Sequence, residues 1–396
     1  LRAFTFEKVH NAQVRVPLLG TTSGDGMLLE AEAAVRHEKY SDTDDPTVPK
    51  YSLRFLPWND QFAVRATYSE SFSAPTLFQL FGPGGIGFTP SLALDAVGGG
   101  LITGQANLRS GSNPALEPAT SDNYTVGIVW SPKALRGFSA SIDWFSVEQE
   151  GLISTIGSET ILQDVEDLGP ASPYAQYVRL GPPSTNAMFN AGTPITAPGQ
   201  ISGNPINNVY VTDVLVNITG QRMSGLDLKL DYTWNLDEWG RFDASLAGIW
   251  WNYYKVTTLP GTPEFDTVGQ ATTFNGTIPE YQTYLSLAWT RGPIGATFGW
   301  THIPEVTDVN AYDPTDPGAD ETVEAFNSVD LSGSIAFGRD RGRWFDGLTL
   351  RAGVNNVFDE PPPVAKGTFT DANVDVGTYL AGVLGRFYYL EARYTF

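Results

Sequence analysis

The chain alternates apolar and polar residues with a period of two, most clearly over residues 385–396, which read GRFYYLEARYTF. One alternate set is apolar or aromatic and comprises Tyr388, Leu390, Ala392, Tyr394 and Phe396. The other set carries Glu391 and Arg393, two of the three charged residues of the segment. Such a period indicates a β-strand whose two faces meet different surroundings. A terminal Phe on the apolar face suits a strand in a lipid-embedded barrel better than the polar end of a soluble domain.

The same alternation recurs along the whole chain and predicts an all-β fold. Leu226, Leu228 and Leu230, for example, alternate with Asp227 and Lys229. We predict about 13 antiparallel strands from this pattern. The predicted strands are 3–19, 26–40, 50–57, 61–72, 119–131, 137–150, 207–235, 240–256, 280–291, 294–303, 326–338, 346–358 and 385–396.

The connections between these strands alternate between short turns and long loops. Short turns on one side and long loops on the other are typical of an outer-membrane barrel, with turns in the periplasm and loops outside the cell. We therefore interpret residues 1–396 as one barrel domain, and expect the loops to be irregular because they are rich in Gly, Pro, Asn and Thr. The long loops are predicted at 41–49, 73–118, 151–206, 257–279, 304–325 and 359–384.

Aromatic residues collect where the predicted strands meet the turns. Two aromatic belts are what the two interfaces of a bilayer select. We predict that a membrane girdle and the C-terminal strand place these side chains against lipid: Trp130, Trp234, Trp289, Tyr388, Leu390, Tyr394 and Phe396.

Composition excludes several classes of protein. No stretch approaches the roughly 18 consecutive apolar residues of a membrane helix, so a helical membrane protein is excluded. The formal net charge of -20 argues against a nucleic-acid partner, because little would neutralise the phosphates. The absence of Cys removes disulfides, thiolate metal sites and Cys nucleophiles.

The sequence predicts no catalytic residue, no metal site and no cofactor. The only histidines are His10, His37 and His302, and no two of them have the spacing of metal ligands. We expect structural roles for all three. The Gly-x-Ser-x-Gly motif of hydrolases is absent.

Several motifs in order resemble the C-terminal barrel part of a TonB-dependent outer-membrane receptor. Residues 65–82 carry the Phe-x-Ala-Pro motif of that family at 72–75, and residues 113–130 carry Asn-Pro-x-Leu-x-Pro before a returning strand. Residues 224–234, SGLDLKLDYTW, are similar to the Ser-Gly-Leu-Asp/Glu strand of the family. Residues 353–363, GVNNVFDEPPP, and the terminal GRFYYLEARYTF resemble its final hairpin.

This resemblance implies TonB-energised uptake of a scarce nutrient, such as a siderophore, cobalamin or an oligosaccharide. Receptors of this kind have a barrel of about 22 strands around a plug. We expect this chain to be a plugless C-terminal portion that lacks about nine strands and any TonB box or signal peptide. The resemblance also implies an outer-membrane location. It implies four partners: the lipid bilayer, lipopolysaccharide, the barrel-assembly machinery through the C-terminal strand, and the TonB complex only through the missing plug.

Alternate positions on the strands predict which charged residues face the lumen. In a whole receptor they would contact the plug or water. They are Arg65, Asp143, Asp227, Lys229, Asp231, Asp330, Arg351, Glu391 and Arg393. Ligand capture would belong to the long loops, where cations and rings could meet an anionic, aromatic ligand. The loop candidates are Arg109, Tyr174, Tyr177, Arg179 and Phe189.

Two other functions fit the same strand pattern. A passive pore or surface-adhesion barrel would have a signal peptide directly before Leu1, whereas a receptor would have a plug segment upstream. An outer-membrane hydrolase would need His302 close to an acid and a Ser at the barrel rim.

Overall fold

Thirteen long strands form one antiparallel sheet and follow one another across it in chain order. The computed structural model describes residues 8–20, 27–40, 45–57, 60–183, 185–257, 264–272, 276–309, 321–338, 345–366, 368 and 374–395. The strands are β1 Lys8–Leu19, β2 Leu28–Lys39, β3 Thr47–Leu56, β4 Phe62–Ser73, β5 Ala119–Trp130, β6 Phe138–Ser154, β7 Val216–Asn235, β8 Arg241–Thr257, β9 Tyr281–Arg291, β10 Ile294–Ile303, β11 Phe326–Ala336, β12 Leu348–Asn355 and β13 Phe387–Tyr394. The predicted all-β fold of about 13 antiparallel strands is confirmed.

The strand predicted over 207–235 is wrong in its first part. Residues Val209–Val214 leave the large sheet and pair in parallel with Asn107–Gly111, and only Val216–Asn235 lies in the large sheet. The chain changes sheet at Leu215, whose amide donates to the Gly111 carbonyl at 3.1 Å. Val209–Val214 is mostly buried because it crosses the middle of a second, smaller sheet.

The segments between β4 and β5 and between β6 and β7 fold together, and we call them the large loop module. The sequence predicted irregular loops here, which is wrong, because the module contains a five-stranded sheet, a hairpin and helices. The sheet has the order Thr193–Pro194, Val178–Leu180, Val209–Val214, Asn107–Gly111 and Gly85–Phe88. The hairpin pairs Leu92–Asp95 with Leu101–Gly104. The helices are α1 Leu77–Phe81, α2 Ser158–Leu168 and α3 Met188–Ala191, with short 3-10 turns at Gly169–Ala171, Ala175–Tyr177 and Ile206–Asn208.

A small loop module lies between β8 and β9, β10 and β11, and β12 and β13. Its sheet has the order Gly276–Ile278, Gln270–Thr272, Val306–Asp308 and Glu321–Val323. Beside it, Phe265–Asp266 pairs with the end of β8. The other short elements in the described ranges are the helix α4 Leu380–Leu384 and a 3-10 turn at Asp237–Trp239.

The buried apolar residues concentrate in the loop modules and not under the large sheet. The large loop module has the biggest cluster, built around Ile161, Leu162, Val165, Val209 and Val211. No helix in the described ranges is long and apolar enough to cross a membrane.

Candidate functional site

The register of the large sheet places the predicted lumen residues on one face. Arg65 on β4 and Asp143 on β6 both lie opposite Gly127 on β5, and Asp143 lies opposite Asp227 on β7. Arg65 reaches across β5 to form two hydrogen bonds with Asp143, from Nε to Oδ1 at 2.8 Å and from Nη2 to Oδ2 at 2.6 Å. Gly127 leaves the space for this pair, since a Cβ there would lie 1.7 Å from Asp143 Oδ1.

Further along the same face, charged residues pair within and between strands. Lys229 Nζ lies 3.4 Å from Asp231 Oδ2 on β7. Asp330 on β11 accepts a hydrogen bond of 2.8 Å from the Asn356 amide. Asn356 has a φ of 49°, so Asp330 stabilises a backbone turn that few non-glycine residues adopt.

The last two strands continue this polar face. Arg351 on β12 lies opposite Glu391 on β13, and Thr349 lies opposite Arg393. Arg351 Nη2 also donates to Ser332 Oγ at 3.2 Å. All the charged residues predicted for the lumen therefore share one face of the sheet, and which compartment that face lines stays a prediction.

The predicted girdle residues lie on the opposite face, with one of them outside the described residues. Trp234 on β7 stacks on Phe242 of β8 with ring centroids 5.4 Å apart. Trp289 Nε1 donates to the Trp239 carbonyl at 2.7 Å, which satisfies the polar edge of a ring on an apolar surface. Pairing puts the following on that face: Trp130, Trp234, Trp289, Tyr388, Leu390 and Tyr394. Phe396 lies outside the described residues.

Three of the predicted loop candidates lie on one face of the five-stranded sheet. The guanidinium of Arg109 lies 5.6 Å from the ring centroid of Phe189 and donates to Asn190 Oδ1 at 3.2 Å. Phe189 is buried and packs edge-on against Tyr210 at 5.1 Å. Arg179 lies directly opposite Tyr210 in the register, and its Nη1 donates to the Val178 carbonyl at 2.8 Å.

The other two loop candidates contribute to the apolar core of the large loop module. Tyr174 is buried within that core, and burial raises the pKa of its hydroxyl. Tyr177 packs against the same cluster. These positions favour packing roles for both rings, whereas Arg109 and Arg179 present charge on the other face of the sheet.

Buried carboxylates that the sequence pattern did not reveal hold the large loop module together. Glu166 on α2 is fully buried and accepts amide hydrogen bonds from Val97, Ile201 and Ser202 at 3.0 to 3.2 Å. Asp213 accepts from the Ile156 amide at 3.1 Å, and burial raises the pKa of this carboxyl despite its amide donors. The helical spacing of Ile161, Leu162, Val165 and Glu166 is the signal that could have revealed α2 in a segment interpreted as a loop.

The small loop module is held together by another carboxylate, that of Asp375. It accepts hydrogen bonds from the amides of Thr277 at 2.7 Å, Gly377 at 2.9 Å and Thr378 at 3.1 Å. Thr277 precedes β9 and Asp375 precedes β13, so the contact joins two loops that are distant in sequence. Across the described ranges, no group of three or more His, Asp or Glu side chains is placed to hold a metal ion.

The polar and apolar faces of this antiparallel sheet define an outer-membrane type of β-barrel wall. A family model described as "TonB dependent receptor-like, beta-barrel" matches residues 12–357. The chain therefore belongs to the TonB-dependent receptor barrel family, as its motifs predicted. Barrels of this family lie in the outer membrane of Gram-negative bacteria, which confirms the predicted location. Its members are transporters and not enzymes, which confirms that prediction too.

Solved structures share this fold at low sequence identity. The siderophore receptor PirA from Acinetobacter baumannii is 15% identical, with a TM-score of 0.60 over 98% of this chain and 46% of its own. The ferric enterobactin receptor PfeA from Pseudomonas aeruginosa is 16% identical, with a TM-score of 0.60 over 98% of this chain and 45% of its own. The FrpB iron transporter from Neisseria meningitidis is 12% identical, with a TM-score of 0.52 over 98% of this chain and 45% of its own. No curated protein matches the chain.

The comparisons also give the extent of the chain. It spans about half of the length of the receptors it matches. At these identities the solved structures show the fold alone.

Proposed function

We propose that the chain forms the C-terminal part of a receptor barrel for TonB-energised uptake of a scarce nutrient. The observation that carries this proposal is the separation of the two faces across thirteen strands. Charged residues follow one face, whereas aliphatic and aromatic residues follow the other. This pattern suits a wall between lipid and a water-filled or plugged lumen.

The charged face lines the lumen in this proposal and surrounds a plug in the whole receptor. Asp143 and Asp227 lie opposite each other, and Arg65 neutralises only Asp143 among the described residues. The charged face therefore leaves the carboxylate of Asp227 available to basic groups of a plug. Contact with the TonB complex would run through that plug and not through these strands.

The opposite face contacts the lipid bilayer in this proposal, and lipopolysaccharide surrounds the end of the sheet that carries the long loops. Its aromatic rows suit the bilayer interfaces, where rings with one polar edge are favoured. The C-terminal strand β13 presents Tyr388 and Leu390 to that face, and both side chains are largely exposed. We infer that the barrel-assembly machinery recognises this strand.

Ligand capture takes place at the large loop module in this proposal. Arg109 and Arg179 lie on one face of the five-stranded sheet, and no carboxylate of the described residues forms an ion pair with either. In a chain with a net charge of -20, two cations on one face of a loop sheet without an acidic partner among the described residues give a local positive charge that attracts an anionic ligand. A siderophore-type ligand is favoured over a cobalamin or an oligosaccharide, and the uptake experiment separates the siderophore from cobalamin.

The test is uptake by the full-length receptor in cells that lack their own ferric siderophore and cobalamin receptors. Iron-55 catecholate siderophore and cobalt-57 cobalamin are supplied separately, in strains with and without TonB. We expect accumulation of the siderophore that disappears without TonB. Accumulation that is independent of TonB would overturn the proposal in favour of a passive pore.

The loop assignment has its own test with Arg109→Ala. We expect ligand affinity to fall about 10- to 100-fold, because a charge-assisted hydrogen bond is worth about 1.5 to 3 kcal/mol. The matched control is Arg136→Ala, which removes an exposed arginine from the turn before β6. Equal affinity in the two variants would remove Arg109 from the binding surface.

A further inference from the structure

His10 lies near the start of β1 and His37 near the end of β2, and the two are side by side in the sheet. Nothing in their sequence spacing suggests this. The register of β1 and β2 places them directly opposite each other. Their rings are stacked, with centroids 6.4 Å apart and planes inclined by 22°. Directly opposed residues in an antiparallel pair have Cβ atoms about 5 Å apart and share a face. We propose that these two histidines form a binding site for a divalent transition-metal ion of the Ni²⁺, Cu²⁺ or Zn²⁺ type.

The separation of the two rings suits an ion held between them. Metal–nitrogen bonds of about 2.1 Å place the centroids of two imidazoles that share an ion about 5 to 6 Å apart. The observed 6.4 Å is close to that span. Because the lone pairs of imidazole lie in the ring plane, the exposed His10 ring has to turn out of its stacked position to direct a nitrogen to an ion on half-buried His37. The ladder between β1 and β2 holds both backbones in place during this turn.

A neighbouring hydroxyl orients one of the two ligands. Thr47 lies opposite His37 at the start of β3, and its Oγ1 is 2.8 Å from His37 Nδ1. We assign Nδ1–H as the donor, so that Nε2 keeps its lone pair for a metal. Metal-binding histidines usually have such a hydrogen bond on the second ring nitrogen, which fixes their orientation.

The pair lies above the membrane-facing part of the sheet. Thr47 is four residues from Tyr51, whose ring stacks with that of Tyr68 at 6.3 Å. Tyr68 in turn packs on Tyr124 at 4.9 Å, so the three rings form an aromatic belt on the apolar face. Four residues of a strand span about 13 Å. The site therefore lies in the aqueous phase beyond the aromatic belt, where an ion from the medium reaches it directly.

The surroundings select the kind of ion. Lys8 and Lys39 lie opposite each other in the next row on the same face, and their charges oppose binding of any cation by charge alone. Only ions that form strong bonds with imidazole overcome this repulsion. Mg²⁺ and Ca²⁺ prefer several oxygen ligands, whereas this row offers only the Thr47 hydroxyl, which is already hydrogen-bonded to His37. Water would complete the coordination of the bound metal.

The experiment titrates NiCl2 into the purified full-length receptor that contains this chain, in detergent and in competition with a fluorescent chelator. We expect His10→Ala and His37→Ala each to weaken Ni²⁺ binding about tenfold or more, since even loss of a supporting contact costs about 10- to 100-fold. MgCl2 at the same concentration should not displace Ni²⁺. Unboiled gel migration shows that each variant has folded.

His302→Ala is the matched control, because it removes the third histidine of the chain. Its Nδ1 lies 3.0 Å from Asn327 Oδ1 and its Nε2 lies 3.2 Å from the Tyr281 hydroxyl, so both ring nitrogens are engaged. We expect Ni²⁺ affinity to be unchanged in this variant. The proposal is overturned if His10→Ala and His37→Ala bind Ni²⁺ like the parent protein, or if His302→Ala loses binding as much as they do.

Discussion

A single side chain, the buried carboxylate of Glu166, connects three segments of the large loop module. It accepts amide hydrogen bonds from Val97, Ile201 and Ser202. Glu166→Gln removes the negative charge and turns one acceptor into a donor that faces amide donors. We expect this to destabilise the module by about 1 to 3 kcal/mol, the usual cost of unsatisfied buried polar groups. Hydrogen exchange at the Ile201 and Ser202 amides measures the loss.

The control for this prediction is Glu159→Gln on the same helix, α2. Glu159 is exposed in the first turn, so the substitution changes the charge of the module without opening its core. We expect amide exchange to stay as in the parent. Equally fast exchange in both variants would show that net charge, and not the buried contacts of Glu166, sets the stability.

At the scale of the strand, each element of the large sheet has an apolar face and a charged face along its whole length. Leu228 on β7 belongs to the apolar face, whereas Ser245 on β8 lies opposite Asp231 on the charged face. Leu228→Arg should reduce stability by about 2 to 4 kcal/mol if it is near the bilayer midplane. Ser245→Arg should be tolerated, because it places a cation beside a carboxylate.

The two arginine variants are made in the full-length receptor, and their stabilities are compared by urea-induced unfolding in lipid vesicles. The face assignment predicts a lower midpoint for Leu228→Arg alone. If Ser245→Arg were the more damaging change, the charged face would be the one against lipid.

Loops are also elements here, and Asp375 joins two of them. Partial burial raises the pKa of this carboxyl, but hydrogen bonds from Thr277 and Thr378 outweigh that effect and hold the pKa below its ordinary value. A carboxyl whose pKa is lower in the folded state contributes stability above its unfolded pKa of about 3.9. This contribution is lost as pH falls through the folded pKa.

We therefore expect the small loop module to be insensitive to pH between neutrality and about pH 5 and to loosen below about pH 4. Protection of the Thr277 amide, corrected for the intrinsic pH dependence of exchange, follows this change. Asp375→Asn should show weaker protection at neutral pH and no further loss on acidification. An unchanged acid transition in the variant would assign it to another group.

The alternation of residues predicts the large sheet well, because the two sides of a barrel wall impose one period on every strand. Leu226 to Trp234 gives both the strand and its two faces. The same rule fails at Val209–Val214, which is mostly buried in the small sheet of the large loop module. Strands of two to six residues there pair across long sequence distances, such as Asn107–Gly111 with Val209–Val214. Spacing alone cannot reveal such partners. For the same reason it did not predict that His10 and His37 lie opposite each other.

At the scale of the whole molecule, the stability of the two regions has different origins. The large sheet has few buried apolar side chains and is held by its hydrogen-bond ladder, which a lipid environment makes obligatory. The loop modules have the apolar cores and the buried carboxylates. Changes such as Glu166→Gln should therefore leave the large sheet intact, whereas changes on the apolar face of the sheet should leave the loop modules folded.

The thirteen strands also decide how the sheet closes. Within the described ranges, β1 pairs only with β2 and β13 only with β12. Because thirteen is odd, β1 and β13 run in the same direction and cannot form an antiparallel pair. An antiparallel barrel needs an even number of strands, so closure requires an odd number of additional strands. The matched receptors are about twice as long as this chain, which leaves room for them.

We expect the 396-residue chain, refolded alone in detergent, to show the same gel migration with and without boiling. The exposed ladders of β1 and β13 should also promote aggregation, because an unpaired strand edge is a template for association. Joined to the upstream half of a matched receptor barrel, the same residues should migrate faster unboiled and resist protease. A boiling-dependent shift of the chain alone would contradict this prediction, because it would mean that the thirteen strands close by themselves into a smaller pore.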